Sequence, residues 1–348
     1  MDRRTLLGIS AAGVAGFLVA GCSSSTSTPA ASGSASGGKK SVVSVVNGPL
    51  GDASFFDDAE RGIQRLKASG HKTETVQSEA NNPTSWKQNT ESVSGKWDLV
   101  VVGSSQMVEV LDTVAPKFPQ QKYIIYDDVV NQPNVASITF KQNEGSFLAG
   151  VLAALVTSNK AQFDKASGSK VVGLVGGMDI PIINDFVVGF KKGVETVDPA
   201  IQVKVGFVGN FTDADKGYSI AKSMFDQDKA DVVYQVAGGA GMGVLKAAKD
   251  ALRYAIGVDS NQNNLQPGHI LASMLKNIGD GVESAVTAAD EGRLEFGKVS
   301  SYGLKNKGVS LTFNDNGGIV PDDIRKKIDE YAQQVVDDKV QVPTTMQQ

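Results

Sequence analysis

Residues 171–196 read VVGLVGGMDIPIINDFVVGFKKGVET, and this stretch decides the fold. It opens with a short β-branched run that ends at Gly176 and Gly177. The remainder places apolar side chains on one helical face, namely Ile183, Phe186, Val187, Phe190 and Val194. The pattern predicts a strand, a tight turn and an amphipathic helix. Ligands of open parallel sheets bind beyond the carboxyl ends of the strands, so we expect residues 176–181 at a binding crevice.

The same alternation of strand and helix extends to both sides of this stretch. Before it, the pattern predicts strands at 42–46, 73–77, 98–103, 122–126 and 135–140, with helices at 54–69, 85–94, 107–118 and 143–158. After it, strands are predicted at 201–208, 231–236, 254–258, 270–275 and 309–313, with helices at 213–227, 242–252, 278–291 and 322–337. Strands that alternate with helices indicate parallel sheets covered on both faces. We therefore predict an α/β protein with two doubly wound parallel-sheet lobes.

The composition narrows the class of function. The 348 residues suffice for two domains, and a net charge of −4 argues against a nucleic-acid partner, which would need a basic face. Cys22 is the only cysteine, and the only histidines are His71 and His269, each in a predicted helix end or turn at the surface. No cluster has the spacing of a zinc site, so we expect neither a metal nor a cofactor.

The N-terminus indicates export. Residues 1–21 are predicted to be a signal peptide, because two arginines precede an apolar span at 6–20 that is short for a membrane helix. Residues 18–22, LVAGC, resemble the bacterial lipobox, in which Cys22 would carry lipid such as palmitate and become the new N-terminus. Residues 22–40 then form a flexible tether, rich in Ser, Thr, Ala and Gly. Asp-Arg-Arg at 2–4 also resembles a twin-arginine motif, so Sec and twin-arginine export both stay open.

Seven segments, running in order between residues 42 and 313, together resemble the basic membrane protein family of bacterial lipoproteins. They are GDASF at 51–55, NEGSFLAG at 143–150, GGMDIP at 176–181, NFTD at 210–213, GGAGMG at 238–243, GVDSNQ at 257–262 and SMLK at 273–276. The resemblance implies a type I periplasmic-binding-protein-like fold, with three crossings near residues 140, 259 and 295. The first lobe would then comprise 41–140 and 260–294, and the second 141–259 and 295–348.

The resemblance also implies roles for individual residues. Phe55 and Phe211 would stack on opposite faces of a nucleobase, and such stacking is worth ~1–3 kcal/mol. Asp259 and Lys276, each following a predicted strand, would bind ribose hydroxyls, the acid accepting and the lysine donating hydrogen bonds. Asp127 matches a carboxylate at the cleft of the family.

Other candidates lie in the turns around the cleft. Asp52 stands where the family often has two adjacent acids that help to read the base edge, and Phe56 replaces an Asn commonly found there. The glycines at 238 and 239 lack phosphate-loop spacing but would let backbone amides approach a ligand. Met178 is expected to face Phe55 across the cleft. The segment 104–106, Ser-Ser-Gln, departs from a more glycine-rich and aromatic family pattern.

The function that follows is capture of a nucleoside, with purine as the first candidate, by a lipid-anchored extracytoplasmic monomer that serves an ABC permease. No catalytic residue is expected. A receptor or sensor for another aromatic or sugar-like metabolite stays open on the same fold. A nucleoside hydrolase using Asp52, Asp127 or Asp259, and a surface adhesin, are the alternatives from other classes.

Overall fold

The computed structural model describes residues 38–346. The predicted signal peptide, the lipidation site at Cys22 and the tether up to residue 37 lie outside the described residues. Within them, the chain forms two six-stranded sheets flanked by helices, which confirms the predicted fold class.

The first sheet is parallel throughout. Its spatial order is β11 (Val299–Tyr302), β5 (Val135–Phe140), β4 (Lys122–Tyr126), β3 (Leu99–Gly103), β1 (Val42–Val46) and β2 (Thr73–Gln77). Helices cover it on both faces, namely α1 (Phe55–Ala68), α2 (Pro83–Val93), α3 (Val108–Val114) and α8 (Ile278–Asp290). Its central strands β1 and β3 are fully buried, which is why they are near-continuous apolar runs rather than alternating ones.

The second sheet has an equivalent strand order and differs in the direction of one edge strand. It runs β12 (Val309–Thr312), β10 (Ile270–Lys276), β9 (Tyr254–Asp259), β8 (Val232–Val236), β6 (Val171–Gly176) and β7 (Gln202–Phe207), and only β12 is antiparallel to its neighbour. Its helices are α4 (Gln142–Ser158), α5 (Pro181–Val197), α6 (Ala214–Asp226), α7 (Gly241–Asp250) and α9 (Asp322–Val336). The stretch 171–196 thus forms β6, a glycine turn and most of α5, as its pattern predicts.

Helices α4 and α5 pack with their backbones in contact. A Cβ at Gly189 would overlap the carbonyl oxygen of Asn143, and one at Gly193 would overlap that of Phe147. Any larger residue would force the two helices apart, because buried packing leaves little room for added methyl groups. This contact fixes the position of α5, whose first turns face the cavity described below.

Three crossings connect the lobes within the described residues, but two lie later than predicted. The crossing near residue 140 agrees with the passage from β5 to α4. Strand β10 belongs to the second sheet and β11 to the first, so the chain crosses again after Lys276 and between Tyr302 and Val309. The predicted boundaries at 260 and 295 are therefore wrong. The boundaries were predicted wrongly for two reasons. The apolar sequence of β10 is compatible with either sheet, and the polar sequence of β11, VSSY, does not predict a strand.

Both histidines are buried rather than at the surface, each 8% exposed. The His71 Nε2 lies 2.8 Å from a carboxylate oxygen of Asp290, and the His269 Nδ1 lies 2.9 Å from the Arg253 carbonyl oxygen. Each therefore has a hydrogen-bond partner within the protein, as buried polar groups require.

Candidate functional site

A cavity of about 240 Å³ lies where the carboxyl ends of the two sheets face each other. Residues that end or directly follow strands line it from both lobes. From the first lobe they are Asn47 after β1, Ser104 after β3 and Asp127 after β4; from the second they are Asp259 at the end of β9 and Lys276 at the end of β10. The strand-end rule for open α/β sheets thus holds in both lobes.

Aromatic and apolar side chains form much of the cavity wall. Phe55 begins α1, and its ring centroid is 5.6 Å from that of Tyr126. Phe211 enters from the second lobe, where its ring covers Gly177, at which any Cβ would overlap the ring. The first turns of α5 add Ile182, Ile183 and Phe186. Such walls suit a flat, largely apolar ligand surface.

Lys276 is the central cation of the site. It is 1% exposed, and its ammonium forms a salt bridge with Asp127 of the other lobe. The ammonium nitrogen also lies 5.2 Å from the ring centroid of Phe186, 5.6 Å from that of Phe55 and 5.7 Å from that of Phe140. A buried cation is tolerated only with such partners, since its desolvation is costly.

Two buried carboxyl groups flank this cation. Burial raises the pKa of Asp127, and the adjacent Lys276 ammonium opposes that rise. Burial raises the pKa of Asp259 to about 7, while the charge of Lys276 and a hydrogen bond from Ser54 act in the opposite direction. That hydrogen bond runs from the Ser54 hydroxyl to Oδ2 of Asp259 at 2.8 Å and joins the two lobes. The pKa of Asp259 therefore lies near neutrality.

Asp52 lines the cavity, but its carboxylate oxygens are already engaged. They accept hydrogen bonds from the backbone amides of Ser54, Phe56 and Asp57, at 3.0, 2.9 and 3.1 Å. These are the free N–H groups at the start of α1. Burial raises the pKa of Asp52, and the three amide hydrogen bonds oppose that rise. Its position therefore serves to hold the loop that presents Phe55.

Further hydrogen bonds join the lobes beside the cavity. The Ser260 hydroxyl donates to the Ser54 carbonyl oxygen at 2.8 Å, and the Gln262 side-chain amide donates to the Ala53 carbonyl oxygen at 3.0 Å. Met178 meets the first lobe through the Gln106 side-chain amide, with a nitrogen to sulfur distance of 3.8 Å. The lobes are thus in contact around the cavity.

Several non-glycine residues of the lining have a left-handed backbone. The φ angles are +56° at Asn81, +83° at Ser104, +75° at Asp127 and +62° at Asp259. Residues of this kind cost stability and cluster at ligand sites, where the surrounding structure holds them in place. Here the ends of β3, β4 and β9 provide that support.

The structure brings most of the predicted site residues to one cavity. Asp52, Phe55, Asp127, Phe211, Gly238, Gly239, Asp259 and Lys276 all line it. Met178 is not among the lining residues, and its sulfur contacts the Gln106 side chain of the first lobe. Asn47 and Ser54 were not predicted as site residues, and Ser104 was predicted at the cleft only as part of the segment 104–106. Asn47 and Ser104 directly follow buried strands, and this position could have predicted them as site residues. No feature of the sequence could have predicted that Ser54 contacts the other lobe.

Within residues 38–346, no group of three or more His, Cys, Asp or Glu side chains could hold a metal ion. Across the same part of the chain, every helix is too short or too polar to span a membrane.

Comparison with known proteins identifies relatives along the whole described chain. The sequence model of the Bmp family, described as "ABC transporter substrate-binding protein PnrA-like", matches residues 39–346. The CD4+ T-cell-stimulating antigen of Listeria monocytogenes serovar 1/2a is 31% identical, covering 99% of this chain and 99% of its own. The ABC transporter nucleoside-binding protein BmpA of Lactococcus lactis subsp. cremoris is 30% identical, covering 98% and 99% respectively.

A solved structure agrees with these sequence matches. An ABC transporter solute-binding protein from Aeropyrum pernix K1 superposes with a TM-score of 0.78 at 27% identity, over 87% of this chain and 93% of that one. The two-lobed fold is therefore that of a type I solute-binding protein.

The buried ion pair predicts a non-additive effect on stability. Lys276→Met leaves the Asp127 carboxylate buried without its cation, so we expect the free energy of unfolding to fall by about 3–5 kcal/mol in urea titrations. Adding Asp127→Asn, which tolerates the positive φ, should restore most of the loss. The control Lys170→Met, which breaks an exposed ion pair with Asp198, should change the free energy of unfolding by about 0–1 kcal/mol. Equal losses in the single and double variants would contradict a coupled pair.

Asp259 predicts a pH dependence of stability. Its pKa in the folded protein, about 7, is above the ordinary value of 3.8, so the folded state binds the proton more tightly. Its contribution to stability is complete below about pH 4 and is lost as the pH rises through 7. We expect Asp259→Asn to flatten the fall in unfolding free energy between pH 4 and 7, measured by urea titration at each pH. Parallel pH profiles for the variant and the wild type would refute this assignment.

Proposed function

Because the chain belongs to the Bmp family of PnrA-like ABC transporter substrate-binding proteins, we propose that it captures a purine nucleoside for an ABC importer. Members of the family are solute-binding proteins, and this protein is accordingly a binding protein rather than an enzyme. Substrate-binding proteins of this kind act outside the cytoplasm, where they deliver small molecules to a permease.

The observation that carries the proposal is the placement of two aromatic rings from different lobes beside a buried charged cluster. Phe55 and Phe211 line the same cavity, and Lys276, Asp259 and Asp127 line it too. A nucleoside has the matching two parts, because its base is flat and its ribose offers adjacent hydroxyls. The base would stack on the aromatic rings, and the hydroxyls would bind the ammonium and carboxylate groups.

Two further points support a nucleoside over other solutes. The Lactococcus lactis relative, similar along almost its whole length, is named a nucleoside-binding protein. Among residues 38–346, those that line the cavity include one paired cation, Lys276, and no cluster of lysines or arginines, so a triphosphate would lack partners there.

Binding would be coupled to movement of the lobes. A ligand that contacts Phe55 in one lobe and Phe211 in the other favours the form in which the lobes are closed. Bending at the three crossings is the means by which such proteins open. The protein would act as a monomer, since each chain carries a complete cavity.

We expect Phe211→Ala to weaken the binding of inosine by roughly 10- to 100-fold in calorimetric titration, since it removes one stacking surface. The melting temperature without ligand should change little, because Phe211 is only partly buried. Phe296→Ala, a half-buried phenylalanine outside the cavity lining, is the matched control and should leave affinity unchanged. Unaltered affinity in Phe211→Ala would remove this residue from the site.

We further propose that the protein is held at the membrane by lipid on Cys22. The support is the sequence LVAGC at residues 18–22, in which the only cysteine of the chain occupies the lipidated position. The following residues would tether the body so that it can reach a permease. A single acyl chain binds membranes weakly, so more than one chain at Cys22 would be needed for stable anchoring.

The anchor can be tested on the full-length chain expressed in a bacterial host. When the cells are grown with labelled palmitate, the wild type should carry the label and Cys22→Ala should carry none, because the variant has no acceptor thiol. Ser25→Ala, in the same segment, serves as the control and should be labelled like the wild type. Label on Cys22→Ala equal to that on the wild type would rule out Cys22 as the site of the lipid anchor.

A further inference from the structure

Most charged groups of the cavity lining already have partners within the protein. Lys276 and Asp127 form a salt bridge, Asp259 accepts from Ser54, and Asp52 accepts from three backbone amides. Reading of a base by its polar edge therefore depends on the neutral polar groups of the lining. These stand mainly in the first lobe, at the ends of β1 and β3.

Asn47 is the buried member of this neutral set. It directly follows β1, is 4% exposed and lines the cavity. Its side-chain nitrogen donates to Oε1 of Gln106 at 3.1 Å and approaches the Ser104 hydroxyl at 3.4 Å. Its side-chain oxygen has no hydrogen-bond partner among the described residues. A buried acceptor without a donor is costly, and a ligand N–H would remove that cost.

Gln106 completes the pair with a weakly used donor. Within the described part of the chain, its side-chain nitrogen has one acceptor, the sulfur of Met178 at 3.8 Å, and a thioether is a poor acceptor. The backbone amide of Ser104, a residue with φ of +83°, donates to the Tyr126 carbonyl oxygen of β4 at 3.1 Å, and the Ser104 hydroxyl accepts from the Gln106 backbone amide at 3.1 Å. The two side chains thus offer one free acceptor and one donor that a ligand oxygen could engage more strongly.

We propose that Asn47 and Gln106 form an amide pair that reads the polar edge of the bound base. Oδ1 of Asn47 accepts an N–H of the base, and the Gln106 amide donates to the adjacent carbonyl oxygen, as on the six-membered ring of a 6-oxopurine. The inference rests on the proposed nucleoside function and goes further by naming the edge of the base that the protein recognises. Since both side chains are neutral, the edge they read is neutral as well.

The test compares inosine with 1-methylinosine, in which a methyl group replaces the N–H, by calorimetric titration of the purified full chain. We expect the wild type to bind inosine at least about tenfold more tightly, because the methylated ligand leaves the Asn47 oxygen without a donor. Asn47→Leu removes the acceptor and should bring the ratio of the two dissociation constants close to one. Both constants come from the same sample, so partial unfolding of a variant does not alter their ratio.

Two further variants separate recognition from shape. Asn47→Asp keeps an acceptor at the same place and should keep the preference for inosine. Thr212→Val removes a hydroxyl from the opposite wall of the cavity and should leave the ratio at its wild-type value. A preference that persists in Asn47→Leu, or is absent from the wild type, would overturn the inference alone. A wild type that binds neither nucleoside would contradict the proposed function, and this inference with it.

Discussion

The site depends on one buried ion pair between the lobes. Lys276 ends a strand of the second sheet, Asp127 follows a strand of the first, and both side chains are almost fully buried. Neither charged side chain would be stable here alone, because the free-energy cost of removing an unpaired ion from water exceeds the free energy gained from packing it. The two sheets must therefore meet with their carboxyl ends facing each other. The cavity and its aromatic walls take their position from this constraint.

The sheets also make the irregular backbone of the site possible. Ser104, Asp127 and Asp259 have positive φ angles, and each ends or directly follows a strand that is buried apart from Lys122 at the start of β4. Rigid elements carry the energetic cost of such geometry more readily than long loops do. On the second lobe, close packing of glycines against α4 fixes α5, and α5 in turn places Phe186 beside the Lys276 ammonium. The core of the fold thus determines the surroundings of the charge.

The sequence was sufficient for most of the elements, though not for the polar strand β11, and insufficient for their long-range partners. Apolar periodicity located β6 and α5 within a few residues, since it reports on burial along a local segment. The same periodicity could not assign β10 to the second sheet, because a buried strand has the same pattern in either. It also could not reveal that Asp127 pairs with Lys276, or that Asp52 binds the amides of its own loop. Those facts depend on contacts between segments far apart in the chain or on backbone geometry.

The distribution of charge around the cavity has a physical consequence for selectivity. Carboxylates and ammonium groups engaged with each other or with backbone amides maintain the shape of the cavity, and changing the ligand would not easily release them. Neutral side chains such as Asn47 and Gln106 can exchange a weak internal contact for a ligand contact at little cost. Selectivity among ligands can therefore change at the ends of β1 and β3 without disturbing the ion pair.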